Sequence, residues 1–144
     1  MQNRRLLAAL ALAFAPAAAC SDITYTTPIA FEARLLNRTG DGVTGQVAAV
    51  TQHRNTQAGI DITGAEATRY GWQINNGTCA EPGPVVGGRG NYPDVTTDAD
   101  GRGTIERTFV SEVLTSDREY HAVIVDAATR QTIIACGDLE QKFF

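Results

Sequence analysis

Beyond its first 28 residues the chain is built of short apolar stretches broken at close intervals by glycine, proline, asparagine and aspartate. This is the pattern of an all-β domain. Residues 29–37 form a first strand, ended by Arg38-Thr39-Gly40-Asp41-Gly42, and residues 43–52 a second. The Asp41-Gly42 pair is a tight-turn signal, so these two strands are predicted to form a hairpin. Residues 59–64 form a third strand, with Ile60 and Ile62 on one face. Residues 70–75 form a fourth, in which Tyr70, Trp72 and Ile74 share one face and Gly71, Gln73 and Asn75 the other. The stretch 76–94 contains Cys79, Pro82, Pro84, Pro93 and five glycines and is read as one long irregular loop. Loops of that length in a compact domain are usually functional or pinned. Residues 95–98 and 103–109 flank Asp98-Ala99-Asp100-Gly101 as a further hairpin. Residues 119–126 and 131–136 form a last pair, turned by Ala127-Ala128-Thr129-Arg130. Helix signals are scarce, and about eight short strands imply a β-sandwich or flattened barrel.

The first 28 residues have a different character. Arg4 and Arg5 precede an apolar run over 6–14, too short to span a bilayer as a helix. Ala15-Pro16-Ala17-Ala18-Ala19 then leads into Cys20. Residues 1–19 are therefore expected to be a secretion signal. Small residues directly before a cysteine resemble a bacterial lipoprotein processing site, which makes Cys20 the lipidation residue and 20–28 the lipidated start and tether. Ser21 after the cysteine resembles outer-membrane sorting. Ordinary cleavage, giving a soluble periplasmic or secreted protein with Cys20 as a free thiol, is the alternative. Residues 29–144 are the β domain. Of 12 basic residues two lie in the leader, so the remainder carries 10 against 16 acidic, a formal charge of −6. That balance disfavours nucleic acid as a partner, since phosphate binding needs a basic face.

Two segments carry a family resemblance. Gly71-Trp72-Gln73-Ile74-Asn75-Asn76-Gly77-Thr78-Cys79 and Ile133-Ile134-Ala135-Cys136-Gly137 resemble the frame of copper/zinc superoxide dismutases. In that family the first segment runs Gly-Phe-His-x-His before a Gly-x-Cys, and the second runs Arg-x-Ala-Cys-Gly. Val95-Thr96-Thr97-Asp98-Ala99-Asp100-Gly101 also resembles a turn of the family. The resemblance implies a Greek-key arrangement and a disulfide between Cys79 and Cys136, whose 57-position loop would stabilise the fold by roughly 4 kcal/mol. Two buried free thiols are the other reading of this pair. An exported compartment favours the bridge, and a lipidated Cys20 would account for the odd third cysteine.

The chemistry does not follow the frame. The family holds copper with four histidines and zinc with three histidines and an aspartate, one histidine being shared. Here Gln73 and Asn75 occupy the first copper positions, Gly88 and Asn91 fall in the zinc loop, Val125 replaces a further copper histidine, and Ile133 stands where an arginine guides superoxide. Only His53 and His121 are present in the chain. Amides are poor substitutes for imidazole toward copper or zinc. No cofactor, metal site or catalytic residue is therefore expected.

Other candidates read as structure. His53 lies in a polar turn, and His121 opens a strand as a surface or hydrogen-bonded residue. Asp98 and Asp100 lack the terminal Glu of a calcium loop. Gly87-Gly88-Arg89-Gly90 resembles a phosphate loop in composition only, because no helix follows. Trp72 is assigned to the core. The sequence thus leads to an exported, lipid-anchored envelope protein acting as a non-catalytic binding or structural module. Its partners would be the membrane, through the lipid, and an envelope protein or small ligand. Its expected contact surface is Gln73, Asn75, Arg89, Asn91 and Tyr92. A divergent superoxide dismutase or metal-binding protein is one alternative. The other is a CHRD-like extracellular binding domain, suggested by Gly83-Pro84-Val85-Val86.

Overall fold

The computed structural model describes residues 27–143. The expected leader over 1–19, Cys20 and most of the expected tether over 20–28 lie outside the described residues, as does Phe144. Ten strands and one 3-10 turn follow in order: β1 Ile29–Asn37, β2 Thr44–Gln52, β3 Asn55–Thr63, β4 Arg69–Gly77, β5 Pro82–Val85, the turn Arg89–Asn91, β6 Val95–Thr96, β7 Arg102–Val110, β8 Tyr120–Asp126, β9 Ile133–Asp138 and β10 Glu140–Lys142. All pairings are antiparallel, and the main path runs β5-β4-β8-β9-β1-β2-β3-β7. The sheet curls on itself as a half-barrel. The connections β3→β4 and β7→β8 cross between its two halves, as Greek-key wiring requires.

Alternation along each strand sets the inside. Phe31, Ala33 and Leu35 of β1 face Val47 and Ala49 of β2, Ile60 and Ile62 of β3, Trp72 and Ile74 of β4, and Ile124 of β8 in one buried cluster. Trp72 is fully buried, donates its indole N–H to the Pro93 carbonyl at 2.9 Å, and meets Tyr92 edge-on at 5.1 Å. The β1–β2 hairpin forms as predicted. Its loop is held by the Asn37 Oδ1 accepting from Gly40 N at 2.6 Å and by Gly40 and Gly42 at positive φ.

Four expectations change. First, β3 begins at Asn55, not at 59, because Thr56 turns inward and shares a 2.8 Å hydrogen bond with Thr51 across a tight turn. Polar lettering hid an inward position. Second, the Asp98–Gly101 turn does not close a hairpin. β6 pairs with β4 and β7 with β3, so the turn carries the chain from one half of the barrel to the other. The Asp98 carboxylate holds it by accepting from Asp100 N and Arg102 N. Third, the long loop 76–94 contains β5, which pairs along β4 from Asn75 to Gly77. Fourth, a short β10 follows β9 and pairs with the start of β1.

The remainder of that loop closes the barrel between the free edges. Val86 donates N–H to the Ile74 carbonyl at 2.9 Å, on the β4 side. On the β7 side, Asn91 Oδ1 accepts from Ser111 N at 2.9 Å, the Asn91 carbonyl from the Thr108 hydroxyl, and Gly87 N–H reaches the Glu112 carboxylate at 3.0 Å. Gly87 has φ +67, and a Cβ there would crowd Ser111 and Val110.

Candidate functional site

The face of β4 that does not enter the core carries Gly71, Gln73 and Asn75. Directly opposed residues of antiparallel strands share a face. Gly71 is paired with Val125, Gln73 with Val123 and Asn75 with His121 on β8. On β9, Cys136 lies opposite Val123, and Ile133 opposite Val125. Val123, Val125 and Cys136 form a second buried cluster, against which Cys79 and Ile133 pack. Cys79 and Cys136 are joined as a disulfide, tying the segment after β4 to β9. Gln73, Asn75, Val125 and Ile133, drawn from three strands, thus sit on one outer face beside the bridge.

Gln73 is 5% exposed and Asn75 7% exposed. The Gln73 amide donates to Asn75 Oδ1 at 3.0 Å. Gln73 Oε1 is buried without a protein partner. His121 is fully buried rather than at the surface, and its Nδ1 lies 3.1 Å from the Gly77 carbonyl. A carbonyl only accepts, so Nδ1 carries the hydrogen of this bond. Nε2 also lacks a protein partner. At the other end of this row Arg130 folds over Gly71. A Cβ on Gly71 would sit 2.9 Å from the Val125 side chain and 3.5 Å from Arg130 Nε. Arg130 Nη2 donates to the Tyr92 carbonyl at 3.2 Å and pairs with the Asp94 carboxylate, which also pairs with Arg69 at 3.4 Å. Arg130 Nη1 is the third buried polar atom without a partner. Leaving such atoms unpaired costs about 1–3 kcal/mol each.

The set comprises one acceptor, Gln73 Oε1, one imidazole nitrogen, His121 Nε2, and one cationic donor, Arg130 Nη1. It lacks a nucleophile with an adjacent base, and one imidazole beside amides is a weak donor set for copper or zinc. Among the described residues no group of three or more His, Cys, Asp and Glu is placed to hold a metal.

Other expected site residues lie elsewhere. Gly88 is exposed at φ +87, and Asn91 is half-buried. The hydrogen bonds of Asn91 go to Gly87, Gly88, Thr108 and Ser111, none to the Gln73 face. Tyr92 is 1% exposed and donates its hydroxyl to the Val86 carbonyl at 2.9 Å. Burial pushes the Tyr92 phenol well above its ordinary pKa. The five residues expected as a contact surface therefore do not form one exposed patch. Gln73, Asn75 and Tyr92 are buried, Asn91 is half-buried, and Arg89 alone is exposed. Two alternations explain this: β4 is covered on both faces, and Tyr92 points into the barrel. Sequence reading missed the Arg69–Asp94–Arg130 cluster altogether, because nothing local to a turn arginine announces a partner 36 positions away.

A cleft of about 640 Å³ opens beside the disulfide, lined by Arg34, Arg38, Cys79, Asp138 and Lys142 among others. Its mixed charges select no single ligand class. The chain matches no protein-family model, and no curated protein matches it.

Proposed function

We infer that this chain is an exported, lipid-anchored envelope protein whose domain keeps the frame of a copper/zinc superoxide dismutase without its metal chemistry, and works as a non-catalytic binding or structural module. One observation carries the reading. The positions that the resemblance assigns to copper and to superoxide guidance gather on a single outer face beside a Cys79–Cys136 bridge, yet they are Gln73, Asn75, Val125 and Ile133. Residues far apart in the chain lie together on this face. What they lack is imidazole. In its place a Gln73–Asn75 hydrogen bond and an apolar Val125–Ile133 contact region fill the site. The partner acts through hydrogen bonds and packing rather than redox chemistry.

Elemental mass spectrometry on the exported protein, purified without chelator, tests this. Neither copper nor zinc is expected at stoichiometric level, and superoxide dismutation is expected at the buffer rate. One copper per chain would overturn the reading. The mass of the N-terminal peptide tests the anchor separately: a diacyl-modified Cys20 is expected, and an unmodified thiol there would remove the lipid from the picture.

A further inference from the structure

Among the described residues four large apolar side chains are exposed: Leu36, Val50, Phe109 and Phe143. Three of them collect at one end of the barrel. Ala30 is paired with Val50, Val50 with Gln57, and Gln57 with Phe109, so Val50, Gln57 and Phe109 form one outward row across β2, β3 and β7, beside the buried Ala30 of β1. On the other side of Ala30 stands Lys142, followed by Phe143, which is 86% exposed. At strand spacing the row from Lys142 to Phe109 spans about 19 Å along the sheet. Phe109 is 64% exposed, and it lies on β7, whose outer edge is not paired in the sheet. A Phe and a Val left in water along one row are an interaction signal rather than scattered surface carbon.

The chain enters the domain at this same end. Ile29 opens β1 opposite Thr51, one position from the row. Eight residues separate Cys20 from Ile29, a reach of about 28 Å at full extension. Charge is zoned accordingly. Residues 42–60 contain no acid, and their hairpin turn carries His53 and Arg54, both exposed. Carboxylates start deeper: Glu32, opposite Glu140, lies one outward row away, as does Glu106 next to Arg107 at the β7 bulge, and Asp61 lies two rows away. The connection 111–119 at this end carries Glu112, Asp117 and Glu119 against Arg118, on the side toward β8. A surface of anionic lipid would repel that side and accept the β2–β3–β7 side.

We propose that the Val50–Phe109–Phe143 rim is a bilayer-docking surface, on which the domain lies tilted with its β2–β3 turn and the β7 edge against lipid headgroups. The proposal rests on the lipid-anchored reading above, which brings the rim within reach of the membrane. A short tether raises the local concentration of the bilayer to the millimolar range or more, so a weak contact suffices. The opposite end, with Asp41, Asp98 and Asp126, then faces away from the membrane.

The test makes the anchor chemically, so that it does not depend on how cells process Cys20. The chain from Cys20 onward, with Cys79 and Cys136 oxidised, has one free thiol. It is coupled to maleimide-headgroup lipid in vesicles of phosphatidylethanolamine and phosphatidylglycerol, and backbone hydrogen exchange is compared with uncoupled protein. Coupling is expected to slow exchange about tenfold or more over residues 50–57 and 105–110, and the pair Phe109→Ser and Phe143→Ser to abolish that slowing. Both side chains are exposed, and an unchanged melting temperature confirms that the variant is folded. No slowing in the coupled protein overturns the proposal. Slowing that appears without lipid and grows with protein concentration also overturns it, and assigns the rim to a second copy of the chain. The N-terminal peptide mass decides the natural anchor separately from either outcome.

Discussion

Gly71 shows how much one absent side chain can organise. Its bare Cα lets Val125 close up on one side and admits the Arg130 guanidinium over the sheet. Arg130 in turn binds the Tyr92 carbonyl and Asp94, fixing the barrel-closing segment to the β8–β9 turn. Gly71→Ala places a methyl group 2.9 Å from Val125 and must displace it or the arginine. The expected cost is about 1–3 kcal/mol, measured as a lower urea midpoint with an unchanged slope. A neutral result would mean that Val125 relaxes freely and that the arginine clamp is not coupled to it. The inward face of this strand was legible in the sequence, since Tyr70, Trp72 and Ile74 alternate with small and polar residues. The outer face was not. Alternation reads as one dry and one wet side, whereas Gln73, Asn75 and His121 are buried by long-range contacts that period-two lettering does not record. The shared face of Gln73, Asn75, Val125 and Ile133 depends on pairing across three strands, which local lettering does not carry.

Turns govern the behaviour of the elements. The β8–β9 turn is wound around Asp126, whose carboxylate accepts from Ala128 N, Thr129 N and the Thr129 hydroxyl. The Thr129 backbone bond above all, then its hydroxyl, draw the Asp126 pKa below the ordinary value. Asp98 is lowered likewise, first by the Arg102 backbone N–H. A carboxyl whose folded pKa is depressed adds stability above its unfolded pKa and loses it as pH falls through the folded one. Melting temperature should therefore hold steady at neutral pH and fall below about pH 4. The pair Asp98→Asn and Asp126→Asn should melt lower at pH 7 and show a shallower acid decline. Some slope remains, because Asp41 and Asp117 are lowered too. An acid profile identical to the parent would show that these bonds survive protonation. The Asp41-Gly42 and Asp98-Ala99-Asp100-Gly101 letters marked chain reversals correctly. They did not say which strands the second turn joins, since a turn fixes a local reversal and leaves the pairing partner to the sheet.

At the scale of the whole molecule the disulfide decides how much of the barrel stays shut. The sheet is a path with two ends, β5 and β7, and the segment after β5 bridges them together with β6, which pairs with β4 and packs against β7. Cys79 lies between β4 and β5, and Cys136 is in β9, so the bridge pins the β5 end to the middle of the sheet across a loop of 57 positions. Cross-linking a loop of that length removes unfolded-chain entropy worth about 4 kcal/mol, a large share of the 5–15 kcal/mol that holds a typical domain. Cys79→Ala with Cys136→Ala should lower the unfolding free energy by about that amount. The loss should not be uniform. Hydrogen exchange is expected to rise first over residues 76–94, which depend on the bridge for closure, while the β1–β2–β3 meander keeps its protection through its own continuous pairing. Uniform acceleration across all strands would show instead that the bridge acts only on the unfolded chain. A persistent closed segment in the variant would place the closure in the hydrogen bonds of Val86, Gly87 and Asn91 and in the Arg130 clamp, and the Cys79–Cys136 link would then be a guard on the fold rather than the latch of the barrel.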